Sequence, residues 1–453
     1  MQVNPHIFRE YDIRGLVEQD LTDEVVYSLG RACGTLYKRN GVSRVSVGRD
    51  GRESSPHFRD LLSRGLRETG CDVVDIGMAP TPLLYFSLFN LDVGGGIMIT
   101  GSHNPPDCNG FKICLGKAAL YGPEIQGLRR IMETDDFVAG ASGSLTEYEI
   151  VPVYDQQIMS RLRLGARRRK VVVDAGNGMG GFVAVPLYRQ MGFEVVDLYG
   201  EPDSKFPHHH PDPTVVENVQ DLIATVHKEQ ADVGIAFDGD ADRIGVVDEQ
   251  GRIIWGDQLM IIFSREILKE QPGATFISEV KCSQTLFDDI ARRGGRAIMW
   301  KVGHSPIKAK MKEEQAALAG EMSGHIFFAD RYFGYDDAIY AGARLLEILS
   351  HTEQRVSELL AGVPPVVSTP EIRVDCPDEK KFQVVEQLAA EFKQDHEVID
   401  IDGARILFGD GWGLVRASNT QPALVLRFEA THQERLQTIR RTVEEKLRQL
   451  KGS

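Results

Sequence analysis

A chain of 453 residues is long enough for about three domains, each able to bury its own core, which excludes a single small binding module. Hydrophobic residues make up 42% and charged residues 26%, without a low-complexity tract, and this balance excludes a disordered or fibrous chain. The formal net charge of -14 excludes wholesale nucleic-acid binding, which needs a basic face, so an anionic ligand must be met by local arginines, lysines and helix N-termini.

Residues 1–15 carry Arg9, Glu10, Asp12 and Arg14 and no apolar core, so no secretory leader is expected. No run reaches the roughly 18 apolar residues of a membrane span. Cys33, Cys71, Cys108, Cys114, Cys282 and Cys376 are scattered with no CxxC pair. That spacing points to neither a disulfide framework nor a zinc site, and a reducing cytoplasm is expected.

In chain order, residues 44–48 read as a strand, 56–68 as a helix with Phe58, Leu61, Leu62 and Leu66 on one face, and 71–76 as a strand entered through Gly70. An apolar strand over 94–99 follows. The first pattern returns at 170–174, 182–190 and 192–197, where Gly192-Phe193-Glu194-Val195-Val196-Asp197 resembles Gly70-Cys71-Asp72-Val73-Val74-Asp75. It returns again at 274–280, in a helix capped by Ser283, and at 295–300, which opens on Gly295. Parallel neighbours need a helical crossover, so the three units predict three similar α/β domains with mixed, largely parallel sheets.

Beyond residue 365 the pattern changes to strands at 371–374, 397–401, 404–408, 412–417 and 423–429. One long helix follows, with Leu436, Ile439, Val443, Leu447 and Leu450 at helical spacing and Thr431 with Glu434 as a capping box. This predicts a smaller C-terminal α+β domain. The expected domains are 1–149, 150–252, 253–364 and 365–453, and fold alone assigns them no function.

Four motifs carry chemistry. Thr100-Gly101-Ser102-His103-Asn104-Pro105 ends an apolar strand and places a hydroxyl where α/β sheets bind ligands, ahead of Asn109-Gly110-Phe111-Lys112. It lacks the Gly-x-Ser-x-Gly of a hydrolase elbow, and taken alone such a serine is more often a turn residue. In Phe237-Asp238-Gly239-Asp240-Ala241-Asp242-Arg243, three alternating carboxylates offer hard oxygen ligands to Mg²⁺ or Ca²⁺. Glu249 stands at the twelfth position of a calcium loop, but Arg243 stands where its turn needs glycine, and the flanks 232–237 and 244–248 read as strands. A solvated acidic turn is the remaining alternative. Gly320-Glu321-Met322-Ser323-Gly324-His325 could bind sugar hydroxyls, and Arg416-Ala417-Ser418-Asn419-Thr420 could cradle a phosphate. Singly, each of these last two is weak.

Together the four motifs closely resemble the α-D-phosphohexomutase family, and most closely its bacterial phosphomannomutase/phosphoglucomutase branch. The resemblance covers nearly the whole chain and includes Phe8-Arg9-Glu10-Tyr11-Asp12-Ile13-Arg14-Gly15, Val47-Gly48-Arg49-Asp50, Asp174-Ala175-Gly176-Asn177-Gly178, Lys281-Cys282 and Lys301-Val302-Gly303-His304-Ser305. It implies four domains around one cleft, Ser102 as the phosphorylated residue, and one Mg²⁺ held by the phosphoserine with Asp238, Asp240 and Asp242. It further implies that Glu321 and Ser323 contact the sugar 3- and 4-hydroxyls, and that Arg416, Ser418, Asn419 and Thr420 bind the phosphate not being transferred. Arg14, Lys112, Arg243, His304 and His325 would surround the reacting phosphoryl group, with acid and base unassigned among them. Tyr11, Lys281 and Gly303 match further ligand-contacting positions.

The implied activity is interconversion of hexose 1-phosphate and hexose 6-phosphate, of mannose, glucose or both, through a bound hexose 1,6-bisphosphate. Hexose phosphates are the expected partners, with no nucleic acid, membrane or obligate protein. Phosphoserine must be kept from water, so the C-terminal domain is expected to act as a lid. Two alternatives remain: a phosphoglucosamine mutase or other branch of the family, and a non-catalytic sugar-phosphate-binding protein. Met322 beside Glu321 matches the mannose/glucose branch, where the glucosamine branch commonly has glutamine. His208 stands where the mannose/glucose branch is expected to have asparagine, and Cys108 and Gln421 are also unusual. His208, His209 and His210 are read as structural or surface groups rather than a zinc site.

Overall fold

The computed structural model of the chain describes residues 3–418 and 422–452, so Asn419, Thr420 and Gln421 lie outside the described residues. Each repeat becomes a strand, a helix and a second strand parallel to the first. These are Arg44–Arg49, Ser55–Glu68 and Asp72–Met78; Lys170–Asp174, Gly180–Gln190 and Glu194–Leu198; and Thr275–Glu279, Gln284–Arg292 and Arg296–Trp300. The turn out of each helix is also repeated. Gly70, Gly192 and Gly294 take φ of +86°, +88° and +80°, where a side chain would be strained. Their amides return to the carbonyls of Arg67, Arg189 and Ala291, while the next amide, of Cys71, Phe193 or Gly295, reaches back to Leu66, Tyr188 or Ile290. Two amides folded over a left-handed glycine close a helix. The third repeat therefore aligns on Gly294, one residue before the Gly295 expected from sequence.

In each of the first three sheets a parallel strand is followed by an antiparallel one. Gly95–Ile99 pairs with Cys108–Leu115, Val233–Phe237 with Ile244–Asp248, and Leu318–Gly320 with Ile326–Phe328. The first strand of each pair lies parallel to its other neighbour. The joining loops are 100–107, 238–243 and 321–325. The serine, aspartate and sugar motifs thus occupy one topological position, at the carboxyl end of a parallel strand where open α/β sheets bind ligands.

The helices Thr81–Asn90 and Ala338–His351 are apolar around most of their circumference and buried accordingly. With Tyr154, Tyr188, Ile235 and Phe263 they belong to one core running through the first three units, which ties the three sheets together. The fourth sheet is antiparallel throughout, and Gly411–Ala417, which carries Arg416 near its end, pairs with Ala423–Ala430. Asp378–Phe392 and Gln433–Gly452 cover one face of that sheet. The first of these helices is absent from the sequence reading. The expected capping box does not form, because the second helix starts at Gln433 and the Thr431 hydroxyl sits 3.0 Å from His432 Nδ1.

The opposite face of the fourth sheet docks on the third unit. Trp412 and Leu414 pack against Val280, and Arg405, 3.8 Å from the Trp412 ring centroid, donates to the carbonyls of Val280 (2.6 Å) and Cys282 (2.7 Å). No described helix is long and apolar enough to cross a membrane.

Candidate active site

Ser102 is buried and sits at φ +50°, a left-handed conformation that non-glycine residues keep only when their surroundings hold them there. Its amide donates to Thr100 Oγ1 at 2.8 Å, and its hydroxyl donates to Asp238 Oδ2 at 2.9 Å and lies 3.1 Å from His103 Nδ1. A Cβ on Gly239 would fall 2.1 Å from the Ser102 carbonyl oxygen, so only glycine lets the aspartate loop come this close.

Arg52, which the sequence reading passed over, holds the serine loop in shape. Its Nη2 donates to the carbonyls of Ser102 (2.9 Å) and Asn104 (2.6 Å), and its Nη1 to those of Pro105 (2.6 Å) and Cys108 (2.8 Å). One buried guanidinium thus satisfies four carbonyls that strand pairing leaves open. Asp50 balances its charge at 3.2 Å and accepts the Gly101 amide at 3.1 Å.

Asp238, Asp240 and Asp242 are buried, and each turns one carboxylate oxygen into a cluster within 4.8 Å. Lys112 Nζ lies 2.7 Å from Asp240 Oδ2 and 2.5 Å from Asp242 Oδ2, and Thr81 donates to the same Asp240 oxygen at 2.5 Å. Burial and the other two aspartates push the Asp238 carboxyl well above its ordinary range. Burial also opposes charge on Asp240 and Asp242, yet Lys112 holds both below that range. Asp240 Oδ1 and Asp242 Oδ1 are buried without a hydrogen-bond partner. Two orphaned carboxylate oxygens among hard oxygen donors fit a divalent cation such as Mg²⁺. The calcium-loop alternative fails, because the flanks are strands and Glu249 turns away to accept the Ser357 hydroxyl at 2.5 Å.

Cationic and imidazole groups surround this cluster. Arg14 Nε donates to Asp12 Oδ2 at 2.6 Å and its Nη1 to Asn104 Oδ1 at 3.3 Å. Arg243 Nε donates to His325 Nε2 at 3.0 Å. An arginine Nε always carries hydrogen, so His325 Nε2 presents its lone pair and the ring proton sits on Nδ1. That nitrogen lies 3.2 Å from Asp336 Oδ2, a second residue the sequence reading missed, which Lys308 holds at 3.0 Å. Burial, and after it Lys308, keeps the His304 imidazole well below its ordinary range. Its ring lies 5.6 Å from that of Tyr11 and 5.9 Å from that of His325.

A second group faces the first. Glu321 accepts the Gly303 amide on Oε1 and the Ser323 hydroxyl on Oε2, both at 3.0 Å. Gly303 takes φ +124°, and a Cβ there would lie 2.6 Å from the Tyr11 hydroxyl, which donates to the Val302 carbonyl at 3.1 Å. Lys281 pairs with Glu371 at 3.2 Å. Glu279, also missed, accepts the amides of Lys281 (2.5 Å) and Met322 (3.2 Å) and so ties the Lys281 turn to the 321–325 loop; burial raises its carboxyl. Arg416 is buried against Asp402, and the Ser418 carbonyl accepts from Lys381 at 2.5 Å.

The histidine run has local partners. His208 Nδ1 lies 2.7 Å from Asn177 Oδ1 with its ring stacked on Tyr199, and His209 Nε2 lies 3.1 Å from both Asp174 oxygens. Among the described residues, none of the three joins a metal-ligating group.

Comparison with known proteins accounts for this arrangement. Models of phosphoglucomutase/phosphomannomutase α/β/α domains I, II and III match residues 5–139, 153–251 and 255–366, and that of the C-terminal domain matches 371–446. A phosphoglucomutase of Neisseria gonorrhoeae is 49% identical over 96% of this chain and 95% of its own. A phosphomannomutase/phosphoglucomutase of Pseudomonas aeruginosa is 47% identical over 99% and 96%. The crystal structure of a phosphoglucomutase/phosphomannomutase family protein from Burkholderia thailandensis, 44% identical, superposes with a TM-score of 0.94 over 99% of this chain and 98% of that one. Four domain matches in order and near-complete relatives leave one conclusion: the chain belongs to the phosphoglucomutase/phosphomannomutase family and is a phosphohexomutase.

Proposed function

We propose that this phosphohexomutase interconverts hexose 1-phosphate and hexose 6-phosphate, of mannose, glucose or both, through a phosphorylated Ser102 and a bound hexose 1,6-bisphosphate. The observation that carries the reading is the Ser102 hydroxyl, 2.9 Å from Asp238 within the aspartate cluster and beside a loop pinned by Arg52. Asp238, Asp240, Asp242 and the phosphoserine oxygen would hold Mg²⁺, whose chemistry there is Lewis-acid neutralisation of phosphoryl charge.

The chain's own residues supply the rest. Phosphoryl transfer spreads negative charge over the equatorial oxygens, which the fixed cations Arg14, Lys112 and Arg243 match. The Oγ–P bond breaks as the sugar oxygen bonds to phosphorus. The sugar hydroxyl gives up its proton, and His325 Nε2, with its lone pair outward, receives it once Arg243 turns to the phosphate. His304 stays neutral beside it. Glu321 and Ser323 hold adjacent sugar hydroxyls, while Arg416 with the 418–420 segment holds the distal phosphate and Lys281, Gly303 and Tyr11 line the sugar. The bisphosphate then turns end over end and returns its other phosphoryl group to Ser102. Six unpaired cysteines fit work in a reducing cytoplasm.

The test is an initial-rate comparison of mannose, glucose and glucosamine 1-phosphates with Mg²⁺ and a trace of the matching 1,6-bisphosphate. Comparable turnover of the first two, with little of the third, is expected. Preference for the glucosamine compound would move the chain to that branch, and no turnover of any would leave a binding protein.

Closure of the C-terminal domain over the bound sugar would exclude water from the phosphoserine. Small-angle scattering should report a smaller radius of gyration with glucose 1,6-bisphosphate than without it; an unchanged radius would remove the lid from the account.

A further inference from the structure

We propose that Asp402 is a positioning residue for the distal-phosphate arginine, fixing Arg416 before the substrate arrives and coupling it to the sugar site; the inference rests on the function proposed above. One oxygen of Asp402 does this work. Its Oδ2 accepts Arg416 Nε at 3.2 Å, lies 3.1 Å from Arg416 Nη2, and accepts the Val302 amide at 3.0 Å. Arg416 and Asp402 belong to the C-terminal unit and Val302 to the third, so the arginine is aimed from the seam between them. Ile401, next to Asp402, packs in that seam against the cluster of Val280, Trp412 and Leu414.

The backbone is built to deliver this carboxylate. Gly403 takes φ +92°, and a Cβ there would lie 2.6 Å from both Arg416 Cβ and the Val415 carbonyl oxygen. Only glycine lets the 402–403 turn lie against the strand that carries Arg416. The other end of the contact is equally committed. The Val302 carbonyl accepts the Tyr11 hydroxyl at 3.1 Å, and the Gly303 amide donates to Glu321 at 3.0 Å. The carboxylate behind Arg416, the Tyr11 hydroxyl from the first unit and the Glu321 carboxylate therefore meet on one dipeptide.

A guanidinium has five N–H donors in a planar fork. Asp402 engages the Nε and Nη2 edge, which leaves Nη1 free of this carboxylate for the distal phosphate of the proposed function. A side chain already held in this way loses little rotamer freedom on binding, so part of the affinity for phosphate comes from the acid behind the arginine. Asp402 touches no reacting atom, so its loss should weaken binding more than chemistry.

The experiment measures kcat and KM for glucose 1-phosphate, with Mg²⁺ and a trace of glucose 1,6-bisphosphate, in wild type, Asp402→Ala, Asp402→Asn, Arg416→Ala and the Asp402→Ala/Arg416→Ala double variant. We expect Asp402→Ala to raise KM about tenfold or more with kcat within about threefold of wild type. Asparagine keeps the acceptor, so Asp402→Asn should restore KM to within about threefold. In the Arg416→Ala background the alanine at 402 should cost less than about twofold further, because there is no arginine left to aim. Should Asp402→Ala lose its cooperative melt, Asp402→Ser carries the same comparison. An unchanged KM in Asp402→Ala, a penalty undiminished in the Arg416→Ala background, or a fall confined to kcat would overturn the inference. Wild type that neither binds nor turns over glucose 1-phosphate would overturn the proposed function itself, and that is read before any variant.

Discussion

Ser102→Ala should lower turnover of hexose 1-phosphate by about 10⁴-fold or more, because in the proposed mechanism this serine carries the phosphoryl group. The substitution removes one oxygen from a buried site whose loop is fixed by contacts to its backbone: Arg52 holds the Ser102 carbonyl, and Thr100 accepts the Ser102 amide. The loop should therefore keep its shape, and the thermal midpoint should move little. Two measurements separate loss of chemistry from loss of fold. Intact mass after incubation with glucose 1,6-bisphosphate should show one added phosphoryl group in wild type and none in the variant, while both should still bind glucose 1-phosphate. A variant that retained a hundredth of wild-type turnover would show that Ser102 is not the carrier.

Lys112→Met should act on activity and stability together. Lys112 is the cation buried between Asp240 and Asp242, 2.7 Å and 2.5 Å from their oxygens. Methionine fills similar volume but leaves two buried carboxylates without that counter-charge, a loss of about 3–5 kcal/mol by the usual cost of breaking a buried ion pair. Turnover should fall about 10²- to 10³-fold, as when one preorganised electrostatic group is removed from a transition state. A divalent cation neutralises the same carboxylates, so Mg²⁺ should raise the melting temperature of the variant more than that of wild type. Chelation of wild type should abolish turnover reversibly. Equal Mg²⁺ effects on both melting curves would show that Lys112 and the metal do not share these carboxylates.

The residues that could be read from the sequence are those that travel with their chemistry. Ser102, the three aspartates, Glu321 and Ser323 sit in short contiguous runs at strand ends, so their motifs stand out in the sequence. Arg52, Glu279, Asp336 and Asp402 were not legible, because each works through contacts that the fold brings together and that no local motif announces. Arg52 grips four carbonyls at positions 102–108, and a carbonyl leaves no mark in the sequence. Asp336 meets His325 across a turn, and Asp402 reaches Val302 a hundred residues away. The helix Asp378–Phe392 escaped for another reason. Its apolar residues Val384, Val385, Leu388 and Phe392 keep helical spacing, but it follows Pro377 with no side-chain cap to announce it. Conversely Thr431 and Glu434 spell a start signal that the chain does not use, since the helix begins at Gln433.

The placement of the motif loops has an evolutionary consequence. Those of the first three units each join a parallel strand to its antiparallel neighbour on a separate sheet, and no loop has to fold for another's strands to pair. Under the proposed roles, the phosphoryl carrier, the metal carboxylates and the hexose contacts could therefore drift at different rates. On those roles, a change of hexose preference made at residues 321–325 would leave the strands that carry 100–107 and 238–243 untouched.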